Sequence, residues 1–305
     1  MKPAMQDIRV DPLLSNVSVA YQNAEYVAET IFPLVKVGSK TGFYFKFDKS
    51  KFRKVATLRG VGAAAKEVGF GLTKSTAYVC KDHALKELVA DEFKDEAQAA
   101  LSPEMDATDN ISERLLVEKE IDLAAYMADD SNFSSVTLTT TDQWSDYANS
   151  DPIGDVETAI ESVRSKIFKA PNTLIMGQQV YNVLKHHPDI VDRIKSGFAK
   201  VTPEILADLF DVSKVIIGSA GKQDATEGQA SDIAYIWGKH AWLAYITPKP
   251  RRNSISFGYH FQYKIRKADK WYDKEREGTF VRIHDHYTRE VITTDACYMI
   301  KNAVA

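Results

Sequence analysis

The chain of 305 residues lacks most of the features by which enzymes and binding proteins announce themselves. It has two cysteines, Cys80 and Cys297. They stand at no metal or redox spacing, so two buried, unreactive thiols in a reducing compartment are expected. Neither sign of charge dominates: 39 Lys and Arg against 42 Asp and Glu give a net charge of -3. That excludes a strongly basic nucleic-acid binder and leaves room only for a local basic patch. Long apolar runs are missing. The most apolar stretch, Ile233 to Ile246, is interrupted by Lys239 and His240 and is too short to span a bilayer. Lys2 is followed by no apolar run of signal-peptide length. A soluble chain made in the cytoplasm is the expectation.

Catalytic motifs are missing too. No Gly-x-Ser-x-Gly elbow occurs. Gly60-Val61-Gly62-Ala63-Ala64-Ala65-Lys66 evokes a phosphate loop but lacks the Gly before Lys and the Ser or Thr after it. His284-Asp285-His286 puts two imidazoles on one face of a strand, which a metal could use. Spacing suggests no third ligand among His83, His186, His187 and His260, and solvated or interface histidines are the plainer reading. His186-His187-Pro188-Asp189 reads as a structural turn. Asp91-Glu92 and Asp129-Asp130 read as solvated faces, and Glu118, Glu120 and Asp122 as local ion-pair partners of Arg114 and Lys119. No catalytic, cofactor or metal residue is assigned.

What is present is unusual at the front of the chain. Residues 1–40 contain Pro3, Pro12 and Pro33, each of which fixes φ and removes a donor. They read as an extended arm with one short helix between Tyr21 and Thr30. From Thr41 the aromatics alternate, with Phe43, Phe45 and Phe47 on one side and Tyr44 and Lys46 on the other, which is the strand period. Thr73 to Cys80 reads as the returning strand. Residues 41–80 are thus a long two-stranded loop, marginal alone in water. From the end of the first strand Lys46, Lys49, Lys51, Arg53, Lys54 and Arg59 make a basic stretch relieved only by Asp48. This stretch could touch a phosphate backbone or acids on an adjacent subunit; the plain reading is a solvated loop. The need to bury the three phenylalanines favours a protein surface. Arm and loop together suggest an assembly protein.

Residues 82–100 are charged and Ala-rich and read as helix. Ser102-Pro103-Glu104 opens a longer helix to about Met127, with Leu116, Val117, Ile121, Leu123, Ala124 and Met127 over half of its circumference. Asp151-Pro152 starts the clearest helix, striped by Ile153, Val156, Ile160, Val163 and Ile167. Strand Thr173–Gly177, a helix from Gln178, a second from His187, a third capped by Thr202-Pro203 and strand Val215–Gly218 follow. Ile233–Trp237 and Trp242–Ile246 read as a hairpin across Gly238-Lys239-His240. This is an α+β lobe over 151–248. Thr247-Pro248-Lys249-Pro250 marks a hinge. Ser254–Ile265 and Phe280–Thr293 alternate as long strands around a charged turn from Arg266 to Gly278, and are expected to pair with the segment before the long helix. The 151–248 lobe is therefore inserted into a second one built from both ends of the chain.

The run Leu14-Ser15-Asn16-Val17-Ser18-Val19-Ala20-Tyr21, followed by Ile31-Phe32-Pro33, resembles the N-terminal arm of tailed-bacteriophage major capsid proteins. Gln143-Trp144-Ser145-Asp146-Tyr147 with Ser150-Asp151-Pro152-Ile153, and Pro171-Asn172-Thr173-Leu174-Ile175-Met176-Gly177 with Val180 to Ile194, resemble the same family, and the likeness covers nearly the whole chain. The resemblance implies an arm over 1–40, an extended loop over 41–80, a peripheral domain with a spine helix over 81–150, an axial domain over 151–248 and returning peripheral strands over 249–305. It implies a structural protein of hexamers and pentamers in an icosahedral virion shell around double-stranded DNA, assembled in the host cytoplasm without membrane or cofactor. Portal and separate scaffolding or decoration proteins are the implied partners, since no long charged helical extension precedes the arm. Val17, Val19, Tyr21, Phe32, Phe43, Phe45, Phe47, Lys51, Arg53, Lys54 and Arg59 are the subunit-interface candidates. An encapsulin-like nanocompartment shell with a protein cargo shares the fold. From another class, an α+β hydrolase or binding protein predicts a small oligomer with a concave polar site.

Overall fold

The computed structural model describes residues 9–20, 26–47, 52–55, 57–67, 72–96, 102–194, 201–223, 233–250 and 254–305. In chain order the first elements are β1 (Arg9–Val10), α1 (Pro12–Ala20), α2 (Ala28–Ile31), β2 (Leu34–Lys36), β3 (Thr41–Phe47), β4 (Leu72–Val79), β5 (Lys81–Ala90), α3 (Asp91–Glu96) and α4 (Pro103–Ala128). Next come β6 (Ser134–Thr137), α5 (Pro152–Ile167), β7 (Thr173–Gly177), α6 (Gln178–Leu184), α7 (Pro188–Ile194), α8 (Pro203–Leu209) and β8 (Lys214–Gly218). The chain closes with β9 (Gly221–Gln223), β10 (Ile233–Tyr235), β11 (Ala241–Ala244), β12 (Gly258–Asp273), β13 (Gly278–Val291) and β14 (Cys297–Lys301).

Local chemistry sets the main helices. Asp151 caps α5 by accepting from the Gly154 amide at 2.9 Å, and Pro152 takes the first helical position where no donor is needed. Ile153, Val156, Val163 and Ile167 are buried as their spacing predicts. Pro103 opens α4, whose buried face runs from Ala107 through Leu115 and Leu123 to Met127. That face also buries Lys119 and Glu120, which the sequence reading had placed in local ion pairs on the helix.

Two sheets carry the fold. The first has the order β1-β12-β13-β5, with β2 lying parallel on β12. Its face toward α1 and α4 buries Leu14, Ile111, Leu115, Ala268, Val281 and Ile283. β5 pairs antiparallel with β13 over its whole length. The second sheet is mixed, in the order β6-β14-β11-β7-β8. It draws β6 and β14 from outside residues 151–248. A third cluster, with Ile31, Phe32, Met127, Ile167, Trp237, Trp242 and Phe257, joins the two. The hairpin β3–β4 and the short ribbon β9–β10 complete the strands.

Several sequence expectations are corrected. The arm is not uniformly extended: Pro12–Ala20 is helical because the Asp11 carboxylate accepts from the Leu13 and Leu14 amides at 2.9 and 3.2 Å, which caps a helix opened by Pro12. Residues 81–90 form a strand rather than a helix, since the free edge of β13 supplies ten paired positions that outweigh the local Ala and Lys preference. Ile233–Tyr235 and Ala241–Ala244 do not pair with each other. The former pairs with Gly221–Gln223, whereas Ala241–Ala244 is wholly buried between β7 and β14. The charged stretch after Ile265 is strand as far as Asp273, because neighbouring strands and helices supply counter-charges to Arg266, Asp269 and Lys270.

Candidate intersubunit surface

The base of the hairpin is held by rings. Tyr44 and Tyr78 both stack on Phe261, at centroid distances of 5.9 and 4.7 Å. Gly42 permits this, because a Cβ there would collide with the Tyr78 ring. The Cys80 thiol donates to the Phe261 carbonyl at 3.7 Å, and burial pushes its pKa up. Cys297 is likewise buried in the second sheet, and both thiols are free.

With Tyr44 turned inward, Phe43 points the other way and is 54% exposed. A bulge between Phe43 and Phe45 interrupts the simple alternation, and Phe45 is half-buried. Beyond the strand, Phe52 meets Phe168 in a tilted ring contact at 4.7 Å. Arg53, Lys54 and Arg59 are exposed, and so are Leu58 and Val61. Phe43, Phe45, Arg53, Lys54 and Arg59 thus lie on one excursion among the described residues. Phe32 does not join them: it is 1% exposed and packed on Phe257 at 5.3 Å, so it is core and has no surface to offer a neighbour. Val17 and Val19 lie on α1, but their side chains, and that of Phe47, fall outside the described residues, as do Tyr21 and Lys51 altogether.

The segment after α1 is tied down by a residue that sequence reasoning misplaced. Glu120 accepts from the amides of Val27 and Ala28 at 3.0 and 2.9 Å and from the Trp237 indole. Burial raises its pKa despite these three donors. Nearby, Lys119 meets Asp285 at 2.7 Å and Glu29 at 3.2 Å, and Arg266 lies 3.6 Å from Asp285. Burial works to raise the Asp285 pKa, but Lys119 and Arg266 outweigh it and hold the carboxyl low. His260 is buried and stacked on Tyr287 at 4.9 Å, and burial lowers its pKa to about 3. For Lys119 and Glu120 the sequence signal was a charge at a position where the helix face should be apolar.

One arrangement resembles a catalytic set. Ser150 Oγ lies 3.1 Å from His187 Nε2, and His187 Nδ1 lies 3.7 Å from the Asp189 carboxylate. The hydrogen bonds set the tautomer. The Asp189 amide donates to Nδ1, and Ser150 donates to the Asp146 carbonyl at 2.7 Å. With Nδ1 accepting, the proton sits on Nε2, which donates a hydrogen bond to Ser150 Oγ. A serine nucleophile needs the opposite tautomer, with Nε2 free to accept. The set caps α7, as the turn reading expects. His284 and His286 stand 6.2 Å apart over Asp82. Among the described residues no group of three side chains suited to a metal comes together, and no helix is long and apolar enough to cross a membrane.

No family model matches the chain. It is 28% identical to the major capsid protein of Burkholderia phage BcepMu over 301 residues, which cover 95% of each sequence. It is 28% identical to the major capsid protein of Pseudomonas phage JBD67 over 307 residues, 97% of each. Among solved structures, a phage-related protein of Bordetella bronchiseptica RB50 superposes with a TM-score of 0.77 at 24% identity, over 96% of this chain and 97% of that one. The capsid structure of cyanophage P-SCSP1u gives 0.58 at 10% identity, over 92% and 89%. The α+β architecture is that of phage capsid proteins. The curated homologues of this chain are phage major capsid proteins, in line with the resemblance read from its sequence.

Proposed function

We propose that this chain is a major capsid protein, a structural subunit that self-assembles into hexamers and pentamers and closes an icosahedral head shell around viral double-stranded DNA. The observation that carries the reading is near-complete collinear similarity to two phage major capsid proteins. The excursion of aromatic and basic side chains beyond the packed core supports it, since its exposed Leu58 and Val61 would gain buried area from a neighbour. In this reading residues 1–40 are the arm, 41–80 the extended loop, 81–150 and 249–305 the peripheral part, and 151–248 the axial part. The mixed sheet crosses the last boundary through β6 and β14. Head-to-tail contacts close rings, and the loops of one copy strap the next. Subunits assemble in the host cytoplasm and end in the virion, with portal and scaffolding or decoration proteins as further partners.

Analytical ultracentrifugation with negative-stain microscopy of the purified chain tests this. Closed particles of megadalton mass are expected, and a monomer or small oligomer under all assembly conditions overturns it. Nuclease-protected DNA in particles from the native source separates a virion shell from a nanocompartment filled with protein.

A further inference from the structure

A recess of about 330 Å³ opens where the segment after α1 crosses the edge of the first sheet. β2 lies parallel on β12 there, with Leu34 beside His260 and Lys36 beside Gln262. These four side chains line the recess from one face of the strand pair, while Val35 and Phe261 between them turn to the other face. Arg266 and Ile265 close it along β12, with Phe32 behind.

The polar lining holds charge that the fold leaves unmatched. Arg266 is 8% exposed. One terminal nitrogen of its guanidinium donates to the Ser18 carbonyl at 3.0 Å, but its Nε is buried with no hydrogen-bond partner among the described residues. Asp285 lies 3.6 Å from that Nε, and its two oxygens are taken by Lys119 at 2.7 Å and Gln262 at 3.2 Å. Glu29, the one acid lining the recess, is paired with Lys119 at 3.2 Å. The Lys36 ammonium meets no carboxylate among the described residues. Three cations, Lys36, Lys119 and Arg266, thus stand against two carboxylates. A buried N–H without an acceptor is costly and rare in folded proteins. His260, buried and uncharged, adds a hydrogen-bonding edge without adding charge.

The remaining lining sets the rest of the ligand. A bare ion would use the cations alone, yet Leu34 and Ile265 are 49% and 59% exposed beside them. Apolar walls with a few convergent polar groups are the usual make-up of a small-molecule site.

We propose that this recess binds a small organic anion, a phosphate or carboxylate head on an apolar body, with Arg266 and Lys36 holding the head and Leu34 and Ile265 covering the body. The planar guanidinium suits such a head because its N–H groups can engage two oxygens at once. One wall belongs to residues 28–36 and the other to β12, so the bound anion also fastens that segment to the sheet. The proposal does not depend on the shell reading.

Isothermal titration calorimetry of the full chain tests it, with phenyl phosphate, phenylacetate and inorganic phosphate as probes. Saturable binding of one aryl anion per chain is expected, and the tighter of the two identifies the head as phosphate or carboxylate. Inorganic phosphate should bind about tenfold more weakly for want of the apolar contacts. Lys36→Glu, at an exposed position where thermal melting should not change, is expected to weaken binding at least about tenfold, and Arg266→Gln to abolish it. Hydrogen exchange over residues 28–36 should slow when the aryl anion is bound. No saturable heat with either aryl anion, inorganic phosphate binding as tightly as they do, or undiminished affinity in Lys36→Glu or in a folded Arg266→Gln overturns the proposal. Binding that leaves exchange over residues 28–36 unchanged also overturns it. The shell reading stands whichever result is found.

Discussion

The Phe32 ring lies directly over Gly258, so closely that a Cβ on that glycine would overlap it. This one contact fastens the segment after the N-terminal helix to the start of β12. The ring also meets Phe257 at 5.3 Å inside the central cluster. Removing the ring should open a cavity where three parts of the fold converge. Phe32→Ala is expected to destabilise the unassembled chain by about 3–5 kcal/mol, read as a lower urea midpoint. Gly258→Ala should cost about 1–3 kcal/mol by overpacking. A Phe32→Ala chain as stable as the parent would return this residue to the surface.

Glu120 accepts hydrogen bonds from three buried donors, the Val27 and Ala28 amides and the Trp237 indole. Glu120→Ala should destabilise by about 3 kcal/mol, since buried N–H groups are left unpaired, and Glu120→Gln by less. The pH dependence has a definite sign. Burial raises the folded pKa of this carboxyl above its unfolded value. Its favourable contribution is therefore fully present below the unfolded pKa and is lost as pH rises through the folded one. Urea midpoints from pH 4 upward should show that fall in the parent and not in Glu120→Gln.

Asp285 behaves in the opposite way. Its folded pKa is depressed by Lys119 and Arg266 against the pull of burial. Its contribution is present above the unfolded pKa and disappears as pH falls through the folded one. Asp285→Ala strands a buried lysine and should cost about 3–5 kcal/mol. Replacing Lys119 and Asp285 together by Met and Leu should cost much less, and thermal melting of the set checks this.

Lys270 bridges Asp11, at 2.7 Å, to Glu104, at 3.0 Å, and so clips α1 to α4. Its hydrogen bond lowers the Asp11 pKa; burial opposes the lowering at Glu104, and Lys270 with Lys94 outweighs it. The clip is partly exposed, so Lys270→Met should cost at most about 1 kcal/mol. The sensitive readout is hydrogen exchange, which should accelerate over residues 12–20 in Lys270→Met and in the parent at high salt. Acid should act likewise, since both carboxylates lose their contribution as pH falls through their depressed values.

Where local pattern and final environment agreed, the sequence was sufficient. Asp151-Pro152 with its apolar stripe, Ser102-Pro103 before the long helix, the mostly apolar Thr173–Gly177 and the alternating Phe280–Thr293 each determined their own element. Capping and periodicity act within a few residues and need no partner. The order of the motifs also sufficed to reveal the resemblance to capsid proteins. Tertiary structure decided what depends on a distant surface. Lys81–Ala90 became a strand because β13 offered an edge, Ala241–Ala244 parted from Ile233–Tyr235 because two strands enclosed it, and Phe32 turned from candidate strap to core because Gly258 left room for its ring. Glu120 is a buried acceptor only because Val27, Ala28 and Trp237 arrive there from elsewhere in the chain. The side of the hairpin that faces inward was decided in the same way, by Tyr44 and Tyr78 closing on Phe261.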